Sequence, residues 1–391
     1  MSRAKKVSER WSEHWTRVRH FSYPLAVVVA IRAIGAVWLY HLLSIGGEFH
    51  TAWMDANPRL IPEWNPILNP SSSSNWLWLF NAWDSPHFQL IAQSGYAHPD
   101  YAYLPAYPLL IHFVALLAGN YWLAGFVVAQ AFALGSVLMF QLLAESYMPQ
   151  REALCATLLM ATFPYIFVFT TLSYSEPLFL FFTISAWYLY KKERRTASSL
   201  LAGFAAVTKI YGFAIIVPML LDIVKSRRWR DLDYVAIPLG FLASWLLFCY
   251  LSTGDIFASL TDEKWFTSNI SSKFGLIQTI ANQLLGRLVG AAPAPFYIDP
   301  PILIALGLFA YLVVKSWQVD GSLSAYPLVV FGLTVFVVTN QLSLLRYLTF
   351  LFPIWLTMRV KNLFLTAACI IFFVPLALLL WFYAINVTFI G

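Results

Sequence analysis

The sequence predicts an all-α polytopic membrane protein, and three observations carry that prediction. Of 391 residues, 60% are hydrophobic and only 11% charged, with a mean hydropathy of +0.67. A soluble globular domain carries about 25% charged residues, so this chain has too few to face water on all sides. Apolar runs near the ~20 residues needed to cross a bilayer recur along the chain, and basic clusters mark their ends. The net charge of +6 resides mostly in those clusters, which set topology and do not suggest a nucleic-acid partner. Cys155, Cys249 and Cys369 all fall in apolar segments, so no disulfide framework is indicated.

Residues 1–22 form a basic tail that places the start of the first span, 23–44, in the cytoplasm. No small-residue cleavage site follows that span, which is read as retained. The stretch 45–120 is then the first outer loop. Near its middle lies WDSPHFQLIAQSGY (83–96), in which Asp84 is the sole formal charge between Glu63 and Asp100. Pro86 suits the first turn of a short helix, Ser85 can cap it, and Gly95 suits its stop. Asp84 therefore stands at the positive end of a helix too short to span and aromatic enough to lie at the interface.

The sequence KKERR (191–195) marks the cytoplasm, so 174–190 runs inward to it and 152–172 runs outward. Only an odd number of crossings can join the outer loop to 145–151. The piece 121–144 is a full span; 103–118 is too short and is read as an interfacial or dipping helix. The basic run KSRRWR (225–230) is also cytoplasmic, yet only about 29 residues separate it from KKERR, against ~40 for two crossings. Hence 197–224 is a short or re-entrant hairpin with Lys209 and Tyr211 at its tip, and irregular backbone at that depth must line a covered or wet cavity. Further on, 233–252 runs outward and 253–299 forms a second outer loop. Spans follow at 300–317, 323–342, 345–358 and 363–389. The reading is a single integral-membrane domain over 1–391, with about eleven membrane segments.

Four charges stand alone on the outer side: Asp84, Glu176, Lys209 and Arg346. An ionisable group in such surroundings is expensive and marks function by default. Each has a bland alternative. Asp84 could be an exposed cap, Glu176 could merely start a helix, and Lys209 and Arg346 could snorkel. Arg32, midway along the first span, fits a packing or inward-snorkelling role better. His87, one turn from Asp84, could orient it or touch substrate. Two acids and two bases facing one outer cavity fit a reaction with an anionic leaving group: Arg346 and Lys209 would hold a phosphate, and a carboxylate would act as base. A transporter or flippase of a lipid-linked sugar would use similar charges, and a non-catalytic scaffold is the third reading. No ligand cluster at metal spacing is present, so no metal or other cofactor is expected.

The stretch 83–96 resembles the first-outer-loop motif of the PIG-V-like mannosyltransferases, members of the GT-C glycosyltransferases. YLPAYPLL (103–110), YSEPLF (174–179), LLAGFAAVTKIYG (200–212), STGDIF (252–257) and LLRYLTFLFP (344–353) are similar to further family segments, in the family's order. Lys209 departs from the arginine usual there, and the chain is compact, as in prokaryotic relatives. The resemblance implies a GT-C fold with interfacial helices in the first outer loop. It implies an inverting transfer of a hexose, mannose in this family, from a polyprenyl (dolichyl-type) phosphate sugar. The acceptor would be a hydroxyl on a glycolipid, glycan or protein at the extracytoplasmic face of a plasma membrane rather than the endoplasmic reticulum. It makes Asp84 the catalytic carboxylate, and the lone charges make Arg346 and Lys209 the expected donor-phosphate ligands. His87, Glu176, Tyr211, Trp83 and Asp255 would contact sugar or acceptor.

Overall fold

The structure, a computed structural model, describes residues 22–42, 76–267, 300–337 and 341–386, which form helices and no strand. The basic tail to residue 21, the stretch 43–75 and the second long loop from 268 to 299 lie outside the described residues. Four helical stretches are long and apolar enough to cross a membrane: Ser22–Leu42 (α1), Tyr121–Glu145 (α4), Trp229–Thr253 and Leu363–Ile385. A fifth is bent by 66° between Gln150–Thr162 (α5) and Pro164–Thr171 (α6). Pro164 causes the break, since it lacks the N–H that would continue the ladder. The remaining apolar segments form shorter helices, including Ala106–Ala118 (α3), Leu303–Ser316 and Ala325–Val335. The chain is thus a multi-pass membrane protein with several half-length pieces. The stretch 345–358, expected as one inward span, is a short helix Gln341–Leu348 (α14) followed by a 3-10 turn Phe352–Thr357 around Pro353.

Local sequence explains most boundaries. The short helix Ser85–Ser94 (α2) carries Pro86 in its first turn, and Gly95 (φ 84°) ends it by donating to the Ile91 carbonyl at 2.9 Å. The expected Ser85 cap is absent, because Ser85 is already helical and its Oγ accepts from the Ala82 N–H at 3.2 Å. Asp84 occupies the cap position, yet its side chain makes no capping bond. Asn120 caps α4 by accepting from the N–H groups of Trp122 and Leu123, both at 2.9 Å.

Two apolar cores meet beside α2. One gathers Phe80, Phe88, Tyr107, Phe167, Phe169, Tyr174 and Trp381; the other is built from Phe179, Tyr211, Tyr326, Phe350, Phe352 and Trp355. The connection before α2 is pinned twice, by the Ser173 N–H to Phe80 carbonyl bond (2.7 Å) and by Trp381 Nε1 to the Leu79 carbonyl (2.6 Å). Arg32 is buried, and it donates to Gln130 on α4 (2.9 Å) and Thr170 on α6 (2.7 Å), so it packs α1 onto the bundle.

The stretch 197–224, expected as a short or re-entrant hairpin, holds Arg195–Ala206 (α8), a 3-10 turn Ile210–Ile215 and Ile216–Ser226 (α9), with Lys209 in extended backbone after α8. Twelve residues of α8 reach only ~18 Å, short of the ~30 Å hydrocarbon core. The turn closes on the end of α8 at Gly212, where an added Cβ would lie 2.2 Å from the Ala205 carbonyl group. Gly212→Ala must push the turn away from α8, and overpacking of this kind costs at least ~1–3 kcal/mol. A lower thermal midpoint in detergent is the expected result; a midpoint equal to that of the parent chain contradicts the close approach.

Candidate active site

Lys209 and the segment before α3 are joined by the backbone: the Ala106 N–H donates to the Val207 carbonyl at 3.0 Å. Trp83 turns the chain sharply just ahead of Asp84, with φ 45°, and its ring leans on Phe169 at 6.0 Å. Glu176 opens the helix Glu176–Lys191 (α7), followed by Pro177, so its carboxylate sits at the positive end of that helix. Arg346 lies on α14. Packing brings these four distant points of the chain to the seam between the two apolar cores.

There the charges alternate in a row. Arg346 Nη1 donates to Asp84 Oδ2 at 2.7 Å, across 262 residues of sequence, and its Nε donates to Glu176 Oε1. Lys209 Nζ lies 3.2 Å from the same Glu176 oxygen. Two carboxylates and two cations make the row neutral. The Arg346 guanidinium is stacked among Phe169 (5.1 Å), Tyr174 (4.7 Å) and Tyr347 (5.8 Å), and Lys209 lies over Tyr347 and Phe350. Such contacts favour a cation at this position. Glu176 is fully buried, and its second oxygen has no hydrogen-bond partner among the described atoms. Asp84 is the most open of the four, with a quarter of its side chain exposed. Its backbone N–H donates to the Tyr174 hydroxyl (3.0 Å), and its Oδ1 accepts from the Tyr103 hydroxyl (3.4 Å). Burial pushes the Asp84 carboxyl up, but the charge and hydrogen bond of Arg346, then Lys209 and His87, outweigh it and hold the carboxyl below its usual range.

The other expected residues divide. Tyr211 is buried beneath the row, its ring 5.1 Å from Tyr347. His87 directs Nδ1 to Asp100 Oδ1 (2.8 Å) and stacks on Tyr103. Asp255, expected to touch substrate, is bonded locally and stands apart from the row of charges. Its oxygens accept from the Phe257 N–H and the Thr261 hydroxyl, both at 2.8 Å, and so brace the turn that leads into the helix Ala258–Thr267 (α11). A Thr-Gly-Asp turn supplies a local turn brace as readily as a ligand, and here each carboxylate oxygen has a local partner.

Sequence reasoning passed over several neighbours. Tyr103, Tyr174 and Tyr347 lie inside segments already singled out, but tyrosine in an aromatic-rich chain carries no distinguishing signal. Asp100 had served only as the boundary of an uncharged stretch. Asp262 and Glu263 sit in the charged run TDEK, which reads as a solvated face. Asp262 is buried, however, holding His98 Nδ1 (2.7 Å) and the Tyr101 N–H (3.0 Å), while Glu263 lies in the field of Asp84, Lys209 and Arg346. Among the described residues no group of three or more His, Cys, Asp or Glu is disposed to hold a metal.

A family described as Mannosyltransferase (PIG-V) matches residues 26–261, more than half of the chain. The chain belongs to the PIG-V mannosyltransferase family. Asp84, Glu176 and Lys209 fall within the matched range of this family member, and Arg346 falls beyond it. The mouse GPI alpha-1,6-mannosyltransferase 2 is 34% identical over 169 residues, covering 38% of this chain and 33% of the mouse protein. The rat protein of the same name is 34% identical over 147 residues, 33% of this chain and 29% of the rat one. The PIG-V-family chain thus matches about a third of the length of these relatives. An opaque-specific ABC transporter, CDR3, of Candida albicans is 31% identical over 191 residues, 48% of this chain and 12% of the transporter. That share is too small a part of the transporter to carry its activity across.

Proposed function

We propose that this PIG-V-family protein transfers mannose from a polyprenyl-phosphate mannose to an acceptor hydroxyl, on the extracytoplasmic side, with inversion at the anomeric carbon. The observation that carries this reading is the row Asp84–Arg346–Glu176–Lys209, an open carboxylate next to cations immobilised by buried partners. In a single displacement the acceptor oxygen attacks the anomeric carbon as Asp84 takes its proton. The bond to the phosphate oxygen breaks, and the electron pair leaves with the lipid phosphate. That leaving group is already a stable anion, so it needs fixed positive charge rather than a general acid. Arg346 and Lys209 supply the charge in a site poor in water, where preorganised donors act most strongly. Glu176 keeps both cations in place, and Trp83 and Tyr211 back the wall against which sugar or acceptor would rest. The acceptor is a hydroxyl on a glycolipid, glycan or protein, and the GT-C architecture of a plasma-membrane enzyme fits the topology read from the basic clusters.

The test is direct. Purified protein incubated with undecaprenyl- or dolichyl-phosphate mannose and a mixed lipid acceptor is expected to release free lipid phosphate together with mannosylated product. Binding of the donor lipid without any release would instead support carriage of a lipid-linked sugar.

A further inference from the structure

We propose that Tyr174 is a positioning residue that keeps Asp84 and Arg346 in register through groups the reaction leaves untouched. The inference rests on the transfer reaction above. Tyr174 lies in the link between α6 and α7, two residues before Glu176, and is fully buried. Its hydroxyl accepts from the Asp84 backbone N–H at 3.0 Å. The face of its ring carries the Arg346 guanidinium, 4.7 Å from the centroid. Phe169 and Phe88 pack edge-on against the ring, with centroids 5.7 and 6.3 Å away. The neighbouring Ser173 N–H donates to the Phe80 carbonyl at 2.7 Å, so the link is tied at two points to the segment that leads into α2.

Turnover works against the bond that now joins the pair. Arg346 Nη1 donates to Asp84 Oδ2 at 2.7 Å. A carboxylate spent on Arg346 is a weaker base, and a guanidinium edge spent on Asp84 is lost to the phosphate. Once donor and acceptor are bound, that bond no longer fixes the distance from base to cation. Tyr174 does, because it grips the Asp84 backbone N–H rather than the carboxylate, and the guanidinium face rather than its edge. Attraction to the ring acts through the cation's face and leaves the in-plane N–H groups free to donate. The Asp84 N–H stands at the cap of α2, where the helix offers it no acceptor, and the Tyr174 hydroxyl is the acceptor it meets. Register matters at this scale, since a misplacement of about 1 Å can cost about 10²-fold in rate.

The test measures kcat and the donor KM of the full chain in detergent, with undecaprenyl-phosphate mannose and the mixed lipid acceptor. Tyr174→Phe keeps the ring under Arg346 and removes the hydroxyl, so kcat should fall about tenfold to a hundredfold at unchanged donor KM. Tyr174→Leu removes the ring as well, and donor KM should then rise about threefold to thirtyfold. The deciding comparison is made in Asp84→Asn. A residue that acts through Asp84 has no base left to place there, so adding Tyr174→Phe should change the residual kcat by less than about twofold. A tyrosine needed only for folding would lower the melting midpoint and the yield, and leave kcat per folded molecule at the parental value. Should Tyr174→Leu fail to fold, Tyr174→Phe and its combination with Asp84→Asn decide. Parental kcat in Tyr174→Phe, or an equal loss in both backgrounds, overturns this inference while the transfer reaction stands. A parent protein that releases no lipid phosphate overturns the transfer reaction, and this inference with it.

Discussion

Asp84→Asn should lower the proposed mannose transfer by about 10²–10⁴-fold, the range that general-base catalysis supplies, and leave binding of the proposed donor lipid in place. The amide has nearly the same shape, so the loss reports on the proton and not on packing. A second consequence follows from the row of charges. Asp84 occupies one face of the Arg346 guanidinium (2.7 Å), and the neutral amide releases that face to the phosphate. Donor affinity should therefore hold or improve as turnover collapses, a split that loss of fold cannot produce. Activity within a few-fold of the parent chain removes Asp84 from the reaction.

Arg346→Ala has the other large effect, and it is felt in stability as well as in binding. Glu176 is fully buried and shares Arg346 with Asp84, so the variant leaves a carboxylate with Lys209 as its remaining cation in the row. Removing one partner of a buried pair costs about 3–5 kcal/mol, which a detergent melt should read as a clear drop in midpoint. Arg346→Lys separates the two roles. Lysine restores a point charge but cannot present a planar fork to two carboxylates and a phosphate at once. It should recover most of the stability and little of the donor binding. Full recovery of both would make Arg346 a generic counter-ion and end its assignment to the phosphate.

The four charges of the row were legible in the sequence because a lone ionisable side chain in an apolar chain is costly enough to demand a reason. Asp84 stands alone over some three dozen residues, and Arg346 over a similar distance. Asp100 was illegible for the same reason inverted: it ends the uncharged stretch, and nothing in HPDY separates a buried carboxylate from a solvated one. Asp255 sits in a Thr-Gly-Asp turn that is chemically suited both to ligands and to bracing a turn, and the sequence does not show the local bonds that its oxygens make. The short helices on either side of Lys209 were legible through arithmetic on basic clusters, whereas the close approach of Gly212 to Ala205 depends on two backbones meeting in space.

Composition and charge placement alone determined a membrane protein with loops between half-length helices, and they singled out which few side chains must have a purpose. That follows because the bilayer penalises charge and unpaired backbone wherever they occur, so their positions carry meaning without any coordinates. Only the packed chain decided the pairings: Glu176 between two cations, Arg346 between two carboxylates, His87 turned to Asp100. Those choices depend on ångström-scale distances between helices far apart in sequence, where burial strengthens each charge pair and makes a missing partner expensive.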